Sequence, residues 1–382
     1  MKNVARAAAA LAAAAVVSCG GSSSQQPPPP CNPPGAAFDP AHPPQHISEL
    51  CLLTPSPGAV TPKPGVIPYD LNTPLFSDYA QKTRLIYVPP GASAVYDPDH
   101  ALDLPEGTII AKTFAMAQDQ RSPSVGRKLI ETRLLVHTAQ GWKGFPYLWN
   151  DSETEATYYP QGKLILMPGM VLPSGMVVEA NYLVPNQAQC SHCHADAQPG
   201  TPPMRLLGPT AANLNRDYAY TTGTMNQLDA WSAAGILTDA PPSASAPKLI
   251  AALDPTSGTV EERARTWLHV NCAFCHSTTG DAFPSGLHLG LEVTDPAEYG
   301  VCKQPVAAAT GTGNLPYDIV PGHPELSVLV YRMEAYYSDP SNPNFDQTKM
   351  PPLGRSVPGE EATALIRQWI TDLPAASCTP PP

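Results

Sequence analysis

Two copies of one five-residue pattern, Cys-x-x-Cys-His, stand in the chain: Cys190-Ser191-His192-Cys193-His194 and Cys272-Ala273-Phe274-Cys275-His276. Two thiols three residues apart can each add across one vinyl group of the same porphyrin, and the adjoining histidine can be held beneath the ring as an iron ligand. In an exported protein this is the attachment signature of c-type haem. Two covalently attached haem c groups are therefore expected, on Cys190 and Cys193 and on Cys272 and Cys275, with His194 and His276 as proximal iron ligands. Zinc is a competing reading, but structural zinc pairs usually stand about 12 to 20 residues apart, whereas 78 residues separate Cys193 from Cys272. A thioredoxin-like dithiol would need a βαβ setting that neither copy has, and plain disulfides leave the repeated histidine unexplained. His192, inside the first copy, occupies a variable position and reads as solvated.

Distal ligands decide whether a haem transfers electrons or reacts with a substrate. Met350, in Met350-Pro351-Pro352-Leu353-Gly354, lies 74 residues after His276 and just before the last helical pattern. Proline fixes φ, so the loop is stiff and the thioether is a good sixth ligand for the second haem. For the first haem Met225 is the first choice and Met204 the next, with an open or histidine-ligated iron as the remaining possibility. His269 precedes the second motif on its own helix, on the proximal side. His323, before Pro324, reads as a loop residue, and His137 as a strand residue.

Haem is attached to such thiols outside the cytoplasm, and the N-terminus agrees. Met1 to Arg6 is a short basic start, and Ala7 to Val17 an apolar run too short to span a bilayer, as in a signal peptide over residues 1–18. Val16-Val17-Ser18-Cys19-Gly20 resembles the lipobox of bacterial lipoproteins, which makes Cys19 the expected lipidation site. Glycine rather than aspartate after that cysteine points to the outer membrane, with the protein facing the periplasm. Nine cysteines, less Cys19 and the four haem thiols, leave Cys31, Cys51, Cys302 and Cys378. An even remainder in an oxidising compartment predicts two disulfides. Proximity favours Cys31 with Cys51 and Cys302 with Cys378, though three pairings are open.

With 382 residues, 42% of them apolar, the chain can bury two or three cores. Without Lys2 and Arg6 it carries 20 basic and 33 acidic residues, a net charge of −13. That balance argues against nucleic acid and favours basic or neutral redox partner proteins. No later segment has the apolar run of a membrane span, so the membrane is reached through the lipid only. The 48 prolines, well above the ordinary ~5%, predict long ordered loops.

The elements that must position the motifs follow from periodicity. Residues 19–47 are rich in Gly, Ser and Pro and read as a disordered tether. Residues 48–185 carry β-like runs at 83–88, 108–114, 130–136 and 177–183, separated by turn residues, and predict a sandwich-like antiparallel β-domain. A first haem-binding region is expected over 186–250 and a second, cytochrome c-like domain over 251–378, both mainly α-helical. Asn226 to Ala234 reads as a short helix ended by Gly235, and Glu325 to Met333 as another. Thr259-Val260-Glu261-Glu262 is a capping box that opens a helix leading into Cys272. After Pro358, residues Ala362, Leu365, Ile366, Trp369, Ile370 and Leu373 recur at offsets 0, 3, 4, 7, 8 and 11, an amphipathic helix. Trp267 and Trp369 are expected where these two helices cross.

The run Val66-Ile67-Pro68-Tyr69-Asp70-Leu71-Asn72-Thr73-Pro74-Leu75-Phe76-Ser77-Asp78-Tyr79, the strand Glu131-Thr132-Arg133-Leu134-Leu135, Val184-Pro185-Asn186-Gln187, Gly208-Pro209 through Leu214-Asn215, and Asn226-Gln227-Leu228 together resemble a family of exported di-haem c-type cytochromes. The resemblance covers roughly residues 48 to 373. It implies di-haem chemistry and supplies no substrate. The expected function is an envelope electron carrier with both irons six-coordinate; the alternative is a di-haem redox enzyme, peroxidase-like, with one iron open to substrate.

Overall fold

The structure, a computed structural model, describes residues 38–195, 204–306, 309–337, 339, 345–374 and 378. The expected signal peptide, Cys19, Cys31 and most of the tether lie outside the described residues. From residue 38 the chain is already packed: the Phe38 ring meets Phe145 edge-on at 4.8 Å, and Ile47 is buried. The expected tether thus ends by residue 38 rather than 47, because an aromatic and an aliphatic side chain can both reach the β core there.

Strands β1 (Leu53–Ser56) and β2 (Ala59–Pro62) form a hairpin. β3 (Ile67–Tyr69), β4 (Gln81–Tyr87), β6 (Ile109–Met116), β7 (Lys128–Thr138), β8 (Gly141–Trp149) and β9 (Ala156–Tyr158) make one antiparallel sheet in that order. β5 (Ala94–Val95) lies outside it and pairs in parallel with a late strand at Leu237–Thr238. β10 (Lys163–Val171) and β11 (Val177–Val184) form a second hairpin with a bulge between Met167 and Met170. Pro168 and Gly169 fall in that bulge, where a missing donor and a positive φ are tolerated.

Alternation puts successive side chains on opposite faces of the sheet. Leu85, Ile109, Leu134, Val136, Phe145 and Tyr147 point into one core, closed by the β1–β2 hairpin through Leu53 and Val60. On the other face Ile86 and Ile110 join Leu214, Leu228 and Trp231 from residues after the first motif, while Phe114 and Met116 pack against Met170, Val178 and Tyr182 of the β10–β11 hairpin.

Helices are α1 (Ser191–His194), α2 (Ala211–Leu214), α3 (Gln227–Ala233), α4 (Val260–Asn271), α5 (Val328–Glu334), α6 (Phe345–Thr348) and α7 (Glu360–Asp372). Between α2 and α3 a hairpin is formed by Asp217–Tyr220 and Gly223–Asn226. α4 opens on the Thr259–Glu262 capping box and packs against α7, with Trp267 and Trp369 both buried in their shared core.

The expected fold class is corrected. Strand outweighs helix, 28% against 21%, and mainly α-helical haem domains are not seen. Nor is the β region two stacked sheets: a single six-stranded sheet is covered by hairpins and irregular chain. Among the described residues after 186, only α4 and α7 keep a 3.6-residue apolar period beyond two turns, and the prolines and glycines between them hold loops instead. Among the described residues no helix is long and apolar enough to cross a membrane.

One segment ties these parts together. In the loop from β3 to β4, Asp70 N donates to Gln227 Oε1 (2.7 Å), Thr73 N to Asn213 Oδ1 (2.9 Å) and Phe76 N to Asn271 Oδ1 (2.7 Å). Asp78, buried, accepts from Ser356 N (2.6 Å) and Val357 N (2.9 Å), and Tyr79 Oη accepts from Glu360 N (2.8 Å).

Cys302 and Cys378 form a disulfide, with Cα atoms 5.0 Å apart. Cys51 is disulfide-bonded, and Cys31, its expected partner, lies outside the described residues.

Candidate haem-attachment centre

The first motif occupies one helical run, a 3-10 turn over Ala188–Cys190 followed by α1. Residues three apart on a helix share a face, so the Cys190 and Cys193 thiols present together. The run lies against β8 at Gly144: a Cβ added there would meet Cys190 Sγ at 2.8 Å, and the Gly144 carbonyl accepts from Gln187 Nε2 (2.9 Å). Only glycine lets the strand come this close.

His194 Nδ1 lies 2.8 Å from the Arg205 carbonyl, and Arg205 N donates back to the His194 carbonyl at 2.5 Å. A ring nitrogen facing a carbonyl must carry the proton, which leaves Nε2 with its lone pair free. Burial pushes the imidazole down to about 4, so it is neutral at ordinary pH, as a ligand must be.

Cys272 caps the C-terminus of α4, and the chain then turns on itself, with His276 N donating to the Cys272 carbonyl (2.8 Å). The Ser285 hydroxyl gives its proton to the Ala282 carbonyl (2.7 Å) and so accepts from His276 Nδ1 (3.3 Å). Burial holds His276 at about 4. Both histidines are thus fixed through Nδ1 with Nε2 left over, the arrangement that orients a metal-ligating imidazole.

The two motifs touch. The Cys275 thiol points at the His192 carbonyl (3.8 Å), His192 Nδ1 pairs with Asp281 Oδ2 (3.3 Å), and Arg205 Nη2 donates to the Phe274 carbonyl (3.3 Å). His192 therefore bridges the motifs, a role that its place in the sequence does not show. All four thiols are unpaired. Burial raises Cys190 and Cys193 and pushes Cys272 and Cys275 up to about 12, so they are held as neutral thiols rather than thiolates. Among the described residues no group of three or more His, Cys, Asp or Glu side chains converges as an ion cage. A porphyrin supplies four nitrogens to its iron, so one free imidazole per motif is the fitting donor set.

Met350 is anchored beside the second motif: its N donates to the Arg332 carbonyl (3.0 Å) and its carbonyl accepts from Arg355 Nε (2.7 Å). Arg332 acts electrostatically on His276, and Arg355 on Cys272. Met225 stands in the hairpin at Gly223–Asn226 opposite Tyr218 and is 49% exposed. Met204 bridges to Trp142, and its methyl lies 3.5 Å from the Gly144 Cβ position, close to Cys190. His269 Nδ1 accepts from Leu291 N (3.3 Å), His323 pairs with Glu325 at the surface (3.0 Å), and His137 binds the Leu104 carbonyl (2.7 Å). A surface groove of about 580 Å³ between Ser174, Glu334, Glu360 and Arg367 includes no residue of either motif.

No protein-family model, curated protein or solved structure matches the chain.

Proposed function

We propose that the chain is an exported di-haem c-type cytochrome that carries electrons between redox partners in the cell envelope. The observation that carries this reading is the pairing of two complete attachment motifs in direct contact, each with its histidine locked through Nδ1 and free at Nε2. Bound haem iron would supply one-electron chemistry; the chain's own part is to hold the thiols on one face, fix the imidazoles and keep water from them. Contact between the motifs would hold two bound haems at short range, where their one-electron chemistry can be coupled. Met350 would be the residue to complete the second haem's iron, a role supported by the two arginines that hold its loop.

The Cys302–Cys378 disulfide supports an oxidising compartment, and attachment through Cys19 to the outer membrane, facing the periplasm, completes this reading. Redox proteins of basic or neutral surface suit the acidic chain.

A second reading, a peroxidase-like enzyme with the first iron open, is favoured by the exposure of Met225 on its hairpin. Optical spectra of the oxidised protein separate the two. A carrier gives two low-spin haems indifferent to added cyanide; a high-spin component that binds cyanide overturns the six-coordinate carrier and favours the second reading.

A further inference from the structure

Arg205 stands on a mount held from both sides. Met204, before it, pairs with Trp142 of β8, and Leu206, after it, is buried in the core with Leu102, Leu214 and Trp231. The Arg205 backbone closes two bonds on His194, one from its N to the His194 carbonyl and one from His194 Nδ1 to its own carbonyl. With the main chain fixed in this way, the side chain starts from a set point, and it reaches out of the first motif altogether.

Its Nη2 donates to the Phe274 carbonyl, between the two thiols of the second motif (3.3 Å). The chain turns tightly there. Cys275 N and His276 N both donate to the Cys272 carbonyl (3.1 and 2.8 Å), and Ala282 N takes the Cys275 carbonyl (3.1 Å). The loop that follows the motif folds back so closely that a Cβ on Gly280 would meet the Phe274 oxygen at 2.6 Å. Among the described residues no donor other than Arg205 reaches that oxygen. A half-buried carbonyl needs such a partner, since water is partly excluded from it. His192 and Asp281 close the same junction from the loop side (3.3 Å).

The second motif is thus held at one end by α4, through Cys272, and in its middle by a side chain from the first motif's region. Phe274 stands two residues before His276, so the bond on its carbonyl helps to set the direction in which the imidazole is presented. We infer that the Arg205 side chain is a positioning residue for the second haem, supplied by the segment that clamps the histidine of the first. This rests on the di-haem reading above. One residue is divided between two centres: its backbone serves His194, and its guanidinium serves the turn that carries Cys275 and His276. The guanidinium charge adds a separate effect, because a cation near a haem favours the reduced iron.

The test uses the mature holoprotein and two measurements, electron paramagnetic resonance of the oxidised haems and spectroelectrochemical titration of both. The second haem's signals are those missing from a Cys272→Ala, Cys275→Ala variant. Arg205→Met should change the second haem's g values, which follow the orientation of its axial imidazole, and leave those of the first in place, because a backbone carbonyl holds His194 whatever the side chain. Both potentials should move downward with the loss of charge. Arg205→Lys, a charged donor of similar reach, should restore the g values and the potentials. Arg205→Gln, shorter and neutral, should repeat the change should Arg205→Met fold poorly. Two haems per chain with the second haem's g values unmoved in both neutral variants overturn the proposal alone, even where the potentials fall, since the side chain then acts by charge and positions nothing. Altered g values in both haems overturn it as well, because they make Arg205 a general packing residue. A wild-type chain without haem overturns the di-haem reading and the proposal with it.

Discussion

The Cys275 thiol lies 3.8 Å from the backbone carbonyl of His192, so two Cys-x-x-Cys-His motifs 82 residues apart in the chain are neighbours in space. Arg205 strengthens the junction, because its carbonyl fixes His194 while its guanidinium holds the Phe274 carbonyl of the other motif. A change at this junction should therefore be felt by both centres.

Gly144 is the point where β8 meets the first motif, and any side chain there displaces the Cys190 sulfur. Gly144→Val should reduce haem content from two per chain towards one, with the second haem's spectrum retained. Full occupancy in purified Gly144→Val would show that the strand gives way at no cost to attachment.

Met350 is presented by a loop pinned between Arg332 and Arg355. Loss of a thioether ligand opens iron to water or hydroxide, so Met350→Ala should lower the potential of one haem and make it partly high-spin while the other titrates as before. An unchanged methionine-to-iron band in the near-infrared edge of the visible spectrum would make Met350 a packing residue.

Asp78 bonds two backbone donors and a hydroxyl of the segment that follows the Met350 loop: Ser356 N at 2.6 Å, Val357 N at 2.9 Å and Ser356 Oγ at 3.0 Å. Leaving these buried donors unpaired costs roughly 1–3 kcal/mol each. Asp78→Ala should destabilise the chain by about 3 kcal/mol or more in urea unfolding, and Asp78→Asn, which keeps one acceptor oxygen, by less. Equal stability of all three proteins would remove the strap role assigned to this loop.

Glu153 makes the pH prediction. Burial raises its carboxyl, but the bonds from Leu129 N (2.9 Å) and Gly58 N (2.6 Å), with Lys128 nearby, outweigh that and hold it below 4.5. A folded value lower than the unfolded one means that the stabilisation is complete above about pH 4.5 and is lost as pH falls through the folded value. Glu153→Ala should cost about 1–3 kcal/mol at pH 7, with the difference from wild type shrinking in urea titrations taken down to pH 3. A difference that stays constant with pH would assign the effect to packing.

The parts of the site that side chains advertise are legible in the sequence. Both motifs, the Thr259 capping box, the Asn226 cap of α3 and the apolar stripe of α7 each carry their own residue signal. The Arg205 clamp carries none, because a backbone carbonyl does the work. Strands β8 and β10 escape a period-2 reading through Pro146 and through Pro168-Gly169, residues ordinarily counted against a strand. Met225 stands just before α3, as its place in the sequence implies, but on a hairpin strand that leaves it half-exposed, which the sequence does not show. The mainly helical haem domains were expected from two good helices, and loops rich in proline fill most of the space between them.

The most direct measurement is the haem content of the purified protein by pyridine haemochrome assay, on wild type and on a Cys272→Ala, Cys275→Ala double variant. Two covalently bound haems per wild-type chain and one in the variant are the expected values. Native protein isolated free of haem, with zinc on its cysteines, would contradict the di-haem reading outright.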